Sequence, residues 1–225
     1  MPPALPGSPR LPYAALPAGL RAAVDAALGS PVTGVSPRQG GFSPGPAAVL
    51  TCADGRRAFV KAVGTPVNAD SVDILRAEGR VTAALPGRLP VPRLRDQVEW
   101  SDDGGDWIAL LFDVQDGAPP ALPWTTDRAR TAMRAVDRFG RSATPCPVPG
   151  LRSLAEGLAG PFAGWRELGD APDLDPWERD RLDWLAGAEQ RLADRGGLEG
   201  DTLVHLDLRA DNLLIAPDGE LVLLD

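Results

Sequence analysis

Short apolar runs punctuated by glycine and proline, with no internal repeat, set the character of this chain. Residues 18–28 place Leu20, Ala23, Val24, Ala27 and Leu28 at helical spacing and stop at Gly29, which predicts a short amphipathic helix. The 17 residues before it contain Pro2, Pro3, Pro6, Pro9, Pro12 and Pro17, so 1–17 is expected to be an extended, loosely attached tail. Runs rich in Val, Phe and Leu at 32–35, 47–51 and 57–62 predict an antiparallel sheet, joined by a glycine-rich loop over 39–45 and an Asp54-Gly55 hairpin signal. Residues 70–85 predict a helix capped by Asp70 or Ser71 and ended by Pro86-Gly87, with Ile74, Val81 and Leu85 as its apolar stripe. Glu78 falls within that stripe, and an acid there needs a cationic partner. The run WIALLF at 107–112, between Asp103-Gly104 and Asp116-Gly117, predicts a buried strand leading to a crossover and a lobe boundary.

Beyond that boundary the pattern turns helical. Residues 127–139 put Ala129, Ala132, Met133, Val136 and Phe139 on one face. A helix over 176–193 opens with the capping box Asp175-Pro176-Trp177-Glu178 and is expected to bury Trp177, Trp184, Leu185, Ala188 and Leu192. Strand-like runs follow at Leu203-Val204, 213–215 and 221–224, the last after a Pro217-Asp218-Gly219 turn.

Composition narrows the function classes. The 225 residues are 44% hydrophobic and 24% charged, as in an ordinary globular chain, with no apolar run near the roughly 20 residues a membrane helix needs. The balance of 23 basic against 31 acidic residues, a net charge of -8, argues against nucleic acid as a partner. Cys52 and Cys146 lie far apart and His205 is the one histidine, so neither a zinc site nor a disulfide framework is indicated. The N-terminus lacks the pattern of a secretory signal, and the expected setting is cytoplasmic.

The chemistry concentrates at 203–225, LVHLDLRADNLLIAPDGELVLLD. A two-residue turn at Asp218-Gly219 would set Asn212 directly opposite Asp225, whereas a three-residue loop from Pro217 would shift the register by one and leave them neighbours. Their hard oxygen donors suit Mg²⁺ shared with phosphates. Asp207 stands five residues before Asn212, where a base would be needed, and the upstream half supplies Lys61, the one lysine, on a strand and Glu78 on the next helix. An aspartate base, a metal-holding Asn and Asp, and a strand lysine paired with a helix glutamate are the parts of a phosphoryl-transfer site. His205 is expected to brace the loop rather than react.

On these residues the chain resembles the aminoglycoside phosphotransferase-like branch of the protein-kinase-like superfamily, from about residue 30 to residue 225. The features carrying the resemblance are GGFSPG (40–45), Phe59-Val60-Lys61, Arg76-Ala77-Glu78, Phe112-Asp113, His205-Leu206-Asp207 through Asn212, and Leu223-Leu224-Asp225. It implies a bilobal α+β fold: an N-terminal nucleotide-binding lobe of antiparallel sheet plus helix at 18–112, and a mainly helical catalytic lobe at 113–225. It also implies that Asp207 is the catalytic aspartate, that Asn212 and Asp225 hold Mg²⁺, that Lys61 pairs the ATP phosphates with Glu78 as its anchor, and that Gly40, Gly41, Phe42, Ser43 and Gly45 cover them. The implied activity is ATP-dependent phosphorylation of a hydroxyl on a small molecule, and the acidic charge favours a cationic acceptor such as an amino sugar. The chain departs from the family in Leu206 for glycine, in Arg209-Ala210-Asp211 for His-Pro-Gly, and in its Gly-Gly-x-x-x-Gly spacing. It stops at Asp225, where the family continues with further helices, so the alternative expectation is an incomplete, inactive kinase-like protein that at most binds nucleotide or a partner.

Overall fold

The structure is a computed structural model and describes residues 10–38, 43–121, 123–158, 164–169, 171, 173–194 and 198–224. The elements over the first half are α1 (Ala18–Leu28), β1 (Val32–Pro37), β2 (Ala47–Cys52), β3 (Arg57–Gly64), α2 (Ala69–Ala83), β4 (Leu94–Asp102) and β5 (Gly105–Phe112). The five strands form one antiparallel sheet in the order β1-β2-β3-β5-β4. Helix α1 has the predicted bounds, and Gly29 ends it in the left-handed region at φ 69°, where glycine bears no Cβ penalty.

β5 lies between β3 and β4, and its alternation sorts the core into two faces. Trp107, Ala109 and Leu111 pack with Ala58, Val60 and Ala62 of β3 beneath α1, whose Leu20, Val24 and Leu28 are buried. Ile108, Leu110 and Phe112 pack with Val63 beneath Val72 and Leu75 of α2. Lys61 alternates with the α1-facing residues of β3 and so belongs to the α2 side of the sheet.

Several expectations change here. Residues 10–17 are not a loose tail: a 3₁₀ turn at Tyr13–Ala15 delivers Tyr13 and Leu16 into the core beneath α1, so their burial overrides the proline-rich composition. Residues 1–9 lie outside the described residues. Helix α2 is capped by Asn68, whose side chain accepts from the Ser71 amide, rather than by Asp70 or Ser71. Its buried stripe is Val72, Leu75 and Gly79, and Ile74 is 67% exposed. The rotation follows from Gly79, which lets the helix lie flush on the sheet: a Cβ there would stand 2.2 Å from Gln97 Oε1 and 2.9 Å from Leu110 Cδ2. The strand β4 has no counterpart in the sequence expectation, and it makes β5 one arm of a β4–β5 hairpin rather than the start of a crossover.

The remaining elements are α3 (Thr126–Ser142), α4 (Leu154–Leu158), α5 (Gly164–Glu167), α6 (Pro176–Arg179), α7 (Leu182–Asp194), β6 (Leu213–Ile215) and β7 (Leu221–Leu223). The chain divides into two compact units, 1–142 with 204–225, and 143–203. In the first unit α3 buries Ala132, Ala135 and Phe139 and leaves the expected core residue Met133 exposed. In the second, the capping box at Asp175 is formed, but the helix expected over 176–193 is two pieces, α6 and α7. Trp177 and Trp184 are 53% and 62% exposed rather than buried, and the Arg181 guanidinium lies 4.8 Å from the Trp177 ring centre. The Leu192 side chain lies outside the described residues, and Leu203-Val204 is not a strand. Among the described residues, no helix is long and apolar enough to cross a membrane.

Tyr13 is 7% exposed, and its hydroxyl is buried without a hydrogen-bond partner. Burial pushes this phenol up to about 12. The folded state therefore holds the Tyr13 proton more tightly than the unfolded chain does. The group's contribution to stability is complete below its unfolded value of roughly 10 and is lost as pH rises toward 12. Urea unfolding is expected to show a stability loss of up to about 2–3 kcal/mol over that window, absent in Tyr13→Phe. At pH 7 Tyr13→Phe should match the parent or exceed it by up to about 1 kcal/mol. An unchanged alkaline limb in the variant would contradict this account.

Candidate active site

Two groups of predicted site residues form local clusters in the first unit. In one, β3 register sets Lys61 beside Ala47 of β2 and Leu110 of β5. Its Nζ donates to Glu78 Oε1 at 2.7 Å, and the two side chains are 20% and 23% exposed. A half-buried ammonium on an otherwise apolar face requires such a partner. The Phe112 ring centre, 5.8 Å from Nζ, adds an aromatic wall that the sequence had marked only as a strand end.

The glycine-rich loop rejoins the sheet beside this pair. A Cβ at Gly45 would stand 1.7 Å from the Ala62 carbonyl oxygen, so only glycine allows the chain to pass this close to β3. The Ala62 amide donates to Pro46 O at 3.1 Å and the Leu11 amide donates to Pro44 O at 2.9 Å, which fix the loop's exit. Ser43 is exposed, and Gly40, Gly41 and Phe42 lie outside the described residues.

The second cluster is the loop 205–212 and its hairpin. Asn212, 4% exposed, is the buried polar residue among those described. Its Nδ2 donates at 2.9 Å to both the main-chain oxygen and Oδ2 of Asp207, leaving Oδ1 as the amide's acceptor. Asp207 is exposed, and its amide donates to His205 Nδ1 at 3.3 Å while His205 Nε2 donates to Leu224 O at 2.8 Å. Both contacts call for the same tautomer, with the ring proton on Nε2, and give His205 the bracing role expected of it. Arg209 grips Asp211 through two bonds of 3.1 and 3.0 Å and stands 3.6 Å from Asp207 Oδ1. The sequence flagged this triplet only as a family departure; a basic residue two positions from each of two acids was the available signal.

The hairpin has the three-residue loop. Leu213 pairs with Leu223 and Ile215 with Leu221, the Ala216 amide donates to Glu220 O at 2.8 Å, and Gly219 takes φ 84°. Asn212 therefore stands against Leu224, whose amide donates to Asn212 O at 2.9 Å, and not directly opposite Asp225. Asp225 lies outside the described residues. Ile215 and Ala118 exchange two main-chain bonds of 2.8 and 3.1 Å, and the Leu223 amide donates to Pro90 O at 2.9 Å, which docks the short hairpin on segments that follow β5 and α2.

These donors fit the groups a phosphoryl-transfer site needs. The Lys61 ammonium, held by Glu78, suits triphosphate oxygens, and Asn212 Oδ1 is a neutral hard oxygen donor of the kind Mg²⁺ accepts. Among the described residues, no group of three or more His, Cys, Asp or Glu side chains is arranged to hold a metal.

Comparison with known proteins gives the same direction. The phosphotransferase enzyme family matches over residues 34–225. No curated protein sequence matches the chain significantly. Among solved structures, an aminoglycoside phosphotransferase from Alicyclobacillus acidocaldarius subsp. acidocaldarius is similar at a TM-score of 0.58 and 15% identity, with 96% of this chain and 66% of that one covered. The amicoumacin kinase hAmiN, in complex with AMP-PNP, Ca²⁺ and Ami, is similar at a TM-score of 0.54 and 14% identity, with 85% of this chain and 57% of that one covered. The likeness establishes a shared fold of protein-kinase-like type, α+β with an antiparallel N-terminal sheet, and the chain spans less than two thirds of either relative.

The buried amide of Asn212 is expected to hold the Asp207 loop. Asn212→Ala should lower stability by about 1–3 kcal/mol in urea unfolding, because the Asp207 main-chain oxygen loses a donor. Asp211→Asn, at an exposed pair, should change it by less than about 1 kcal/mol. Equal losses in the two variants would show that the amide has no special structural role.

Proposed function

The chain belongs to the phosphotransferase enzyme family, and we propose that within it the chain is an ATP-dependent O-phosphotransferase acting on a small-molecule alcohol in a cytoplasmic setting. The observation that carries this proposal is the Lys61–Glu78 pair, the one lysine of the sequence held at 2.7 Å by a helix carboxylate on the α2 face of the sheet. Lys61, kept in place by Glu78, binds the nucleotide phosphates, and the loop with Gly40, Gly41, Phe42, Ser43 and Gly45 covers them. Asn212, through Oδ1, and Asp225 hold Mg²⁺. With Mg²⁺-ATP bound, the metal would offset negative charge on the phosphoryl group that ATP gives to the acceptor oxygen as ADP leaves.

Asp207 orients the acceptor hydroxyl and takes up its proton. Its Oδ2 is tied by Asn212 and its Oδ1 faces the Arg209 guanidinium, so the carboxylate has a defined direction before any acceptor arrives. His205 stays out of the reaction and carries the loop on Leu224. The names of the two structural relatives, an aminoglycoside phosphotransferase and an amicoumacin kinase, support an aminoglycoside or amicoumacin-like acceptor. The net charge of -8 supports a cationic amino sugar within that class.

The test is calorimetric binding of Mg²⁺-ATP together with ADP release over a panel of aminoglycosides and other small alcohols. Lys61→Ala should weaken nucleotide binding about tenfold or more, which corresponds to roughly 1.4 kcal/mol. Asp207→Asn should keep nucleotide affinity within about threefold while transfer falls by about 10²-fold or more. Nucleotide binding without release of ADP from any acceptor would leave a kinase-like binding protein, and equal affinity in the parent and Lys61→Ala would remove the site.

A further inference from the structure

Helix α2 presents two ion pairs on opposite flanks of its buried stripe. Val72, Leu75 and Gly79 face the sheet, and at about 100° per residue Glu78 lies to one side of them and Arg76 to the other. The strand order places β3 and β4 on either side of β5, with Leu110 of β5 under Gly79. Glu78 therefore reaches Lys61 on β3, while Arg76 reaches β4 and grips Glu99 with Nε to Oε1 at 3.2 Å and Nη2 to Oε2 at 3.1 Å. Asp73 takes Arg76 Nη1 at 2.9 Å and Gln97 Nε2 donates to Glu99 Oε1 at 2.9 Å, so both members of the pair are held from behind.

A helix pinned on one flank alone can roll about its axis, and Gly79, which seats α2 close on Gln97 and Leu110, has no side chain to interlock with them. A planar fork meeting a carboxylate fixes direction as well as distance, which an isolated lysine contact does not. The hydrogen bonds from Arg76 also hold the Glu99 carboxyl below the usual carboxylate range.

We propose that the Arg76–Glu99 pair is a positioning device for the phosphate-binding site, fixing the roll of α2 so that Glu78 stays on Lys61. It rests on the nucleotide-binding function proposed above, but its structural half can be tested without nucleotide. In this role Arg76 and Glu99 act through Glu78.

Lys61 is the one lysine in the sequence, so acylation by an amine-reactive ester reports on that ammonium alone once the labelled peptide is separated from the N-terminus. In the full chain, Glu78→Gln should raise the labelling rate of Lys61 severalfold and set the reference for a released lysine. Glu99→Gln should move labelling most of the way to that reference and weaken Mg²⁺-ATP binding about threefold or more, with little change in thermal midpoint because the pair is exposed. Glu99→Asp, which keeps the charge, should recover part of both effects. Labelling in Glu99→Gln equal to the parent overturns the proposal, as does labelling unchanged in Glu78→Gln, which would mean that the Lys61–Glu78 pair is not kept in solution. If labelling responds as expected while the parent binds no Mg²⁺-ATP, the positioning role stands and the proposed nucleotide function fails.

Discussion

Lys61 occupies the face of β3 that it shares with Phe59 and Val63, and a positive charge at that place is stable only with a carboxylate delivered from above. Much of the first unit serves that delivery. β5 lies between β3 and β4 and offers alternate residues to two helices; α2 settles over one face because Gly79 admits Gln97 and Leu110. Glu78 then arrives at hydrogen-bond distance. The stripe beneath the helix supplies the burial energy, while the ion pairs at its edges tie it to β3 and β4.

The second anchor works by a different principle. An amide buried at Asn212 makes two bonds to one residue, Asp207, and so converts a flexible turn into a fixed one. Low local dielectric strengthens those bonds and raises the cost of losing them. A carboxylate that is itself exposed is thereby aimed by a side chain that is not. Precision at a solvent-facing group thus comes from a neighbour inside the protein.

The elements legible in the sequence were those whose apolar spacing left one solution: α1, with Leu20, Val24 and Leu28 before a glycine stop, and β5, with its unbroken apolar run. β4 was hidden because its alternation is interrupted between Leu94 and Asp96 and because Glu99 and Gln97 put polar groups where a strand would show apolar ones. The roll of α2 was ambiguous, since few strong apolar residues compete for its face and the deciding contact is made by a glycine, which carries no hydropathy signal. Trp177 and Trp184 follow helical spacing, yet spacing says only that residues share a face, not that another surface covers it. For the site, the residue order of a phosphoryl-transfer template led to Lys61 with Glu78, but it set Asn212 against Asp225, and the bonds from the Asn212 amide to Asp207 had no signal in the sequence. The hairpin register depended on whether Pro217 belongs to the loop, and the Ala216–Glu220 bond includes it.

The closure of the Asp207 loop has a consequence for how the protein comes into being. His205 rests on the carbonyl of Leu224, and the amide of Leu224 returns to Asn212. The hairpin between them is fastened to Pro90 and Ala118, made long before it. As the chain leaves the ribosome, the sheet with Lys61 has all its strands by residue 112, whereas the aspartate loop has no floor until residue 224 has emerged. The two clusters therefore form in order, the Lys61–Glu78 pair first and the Asp207 loop last.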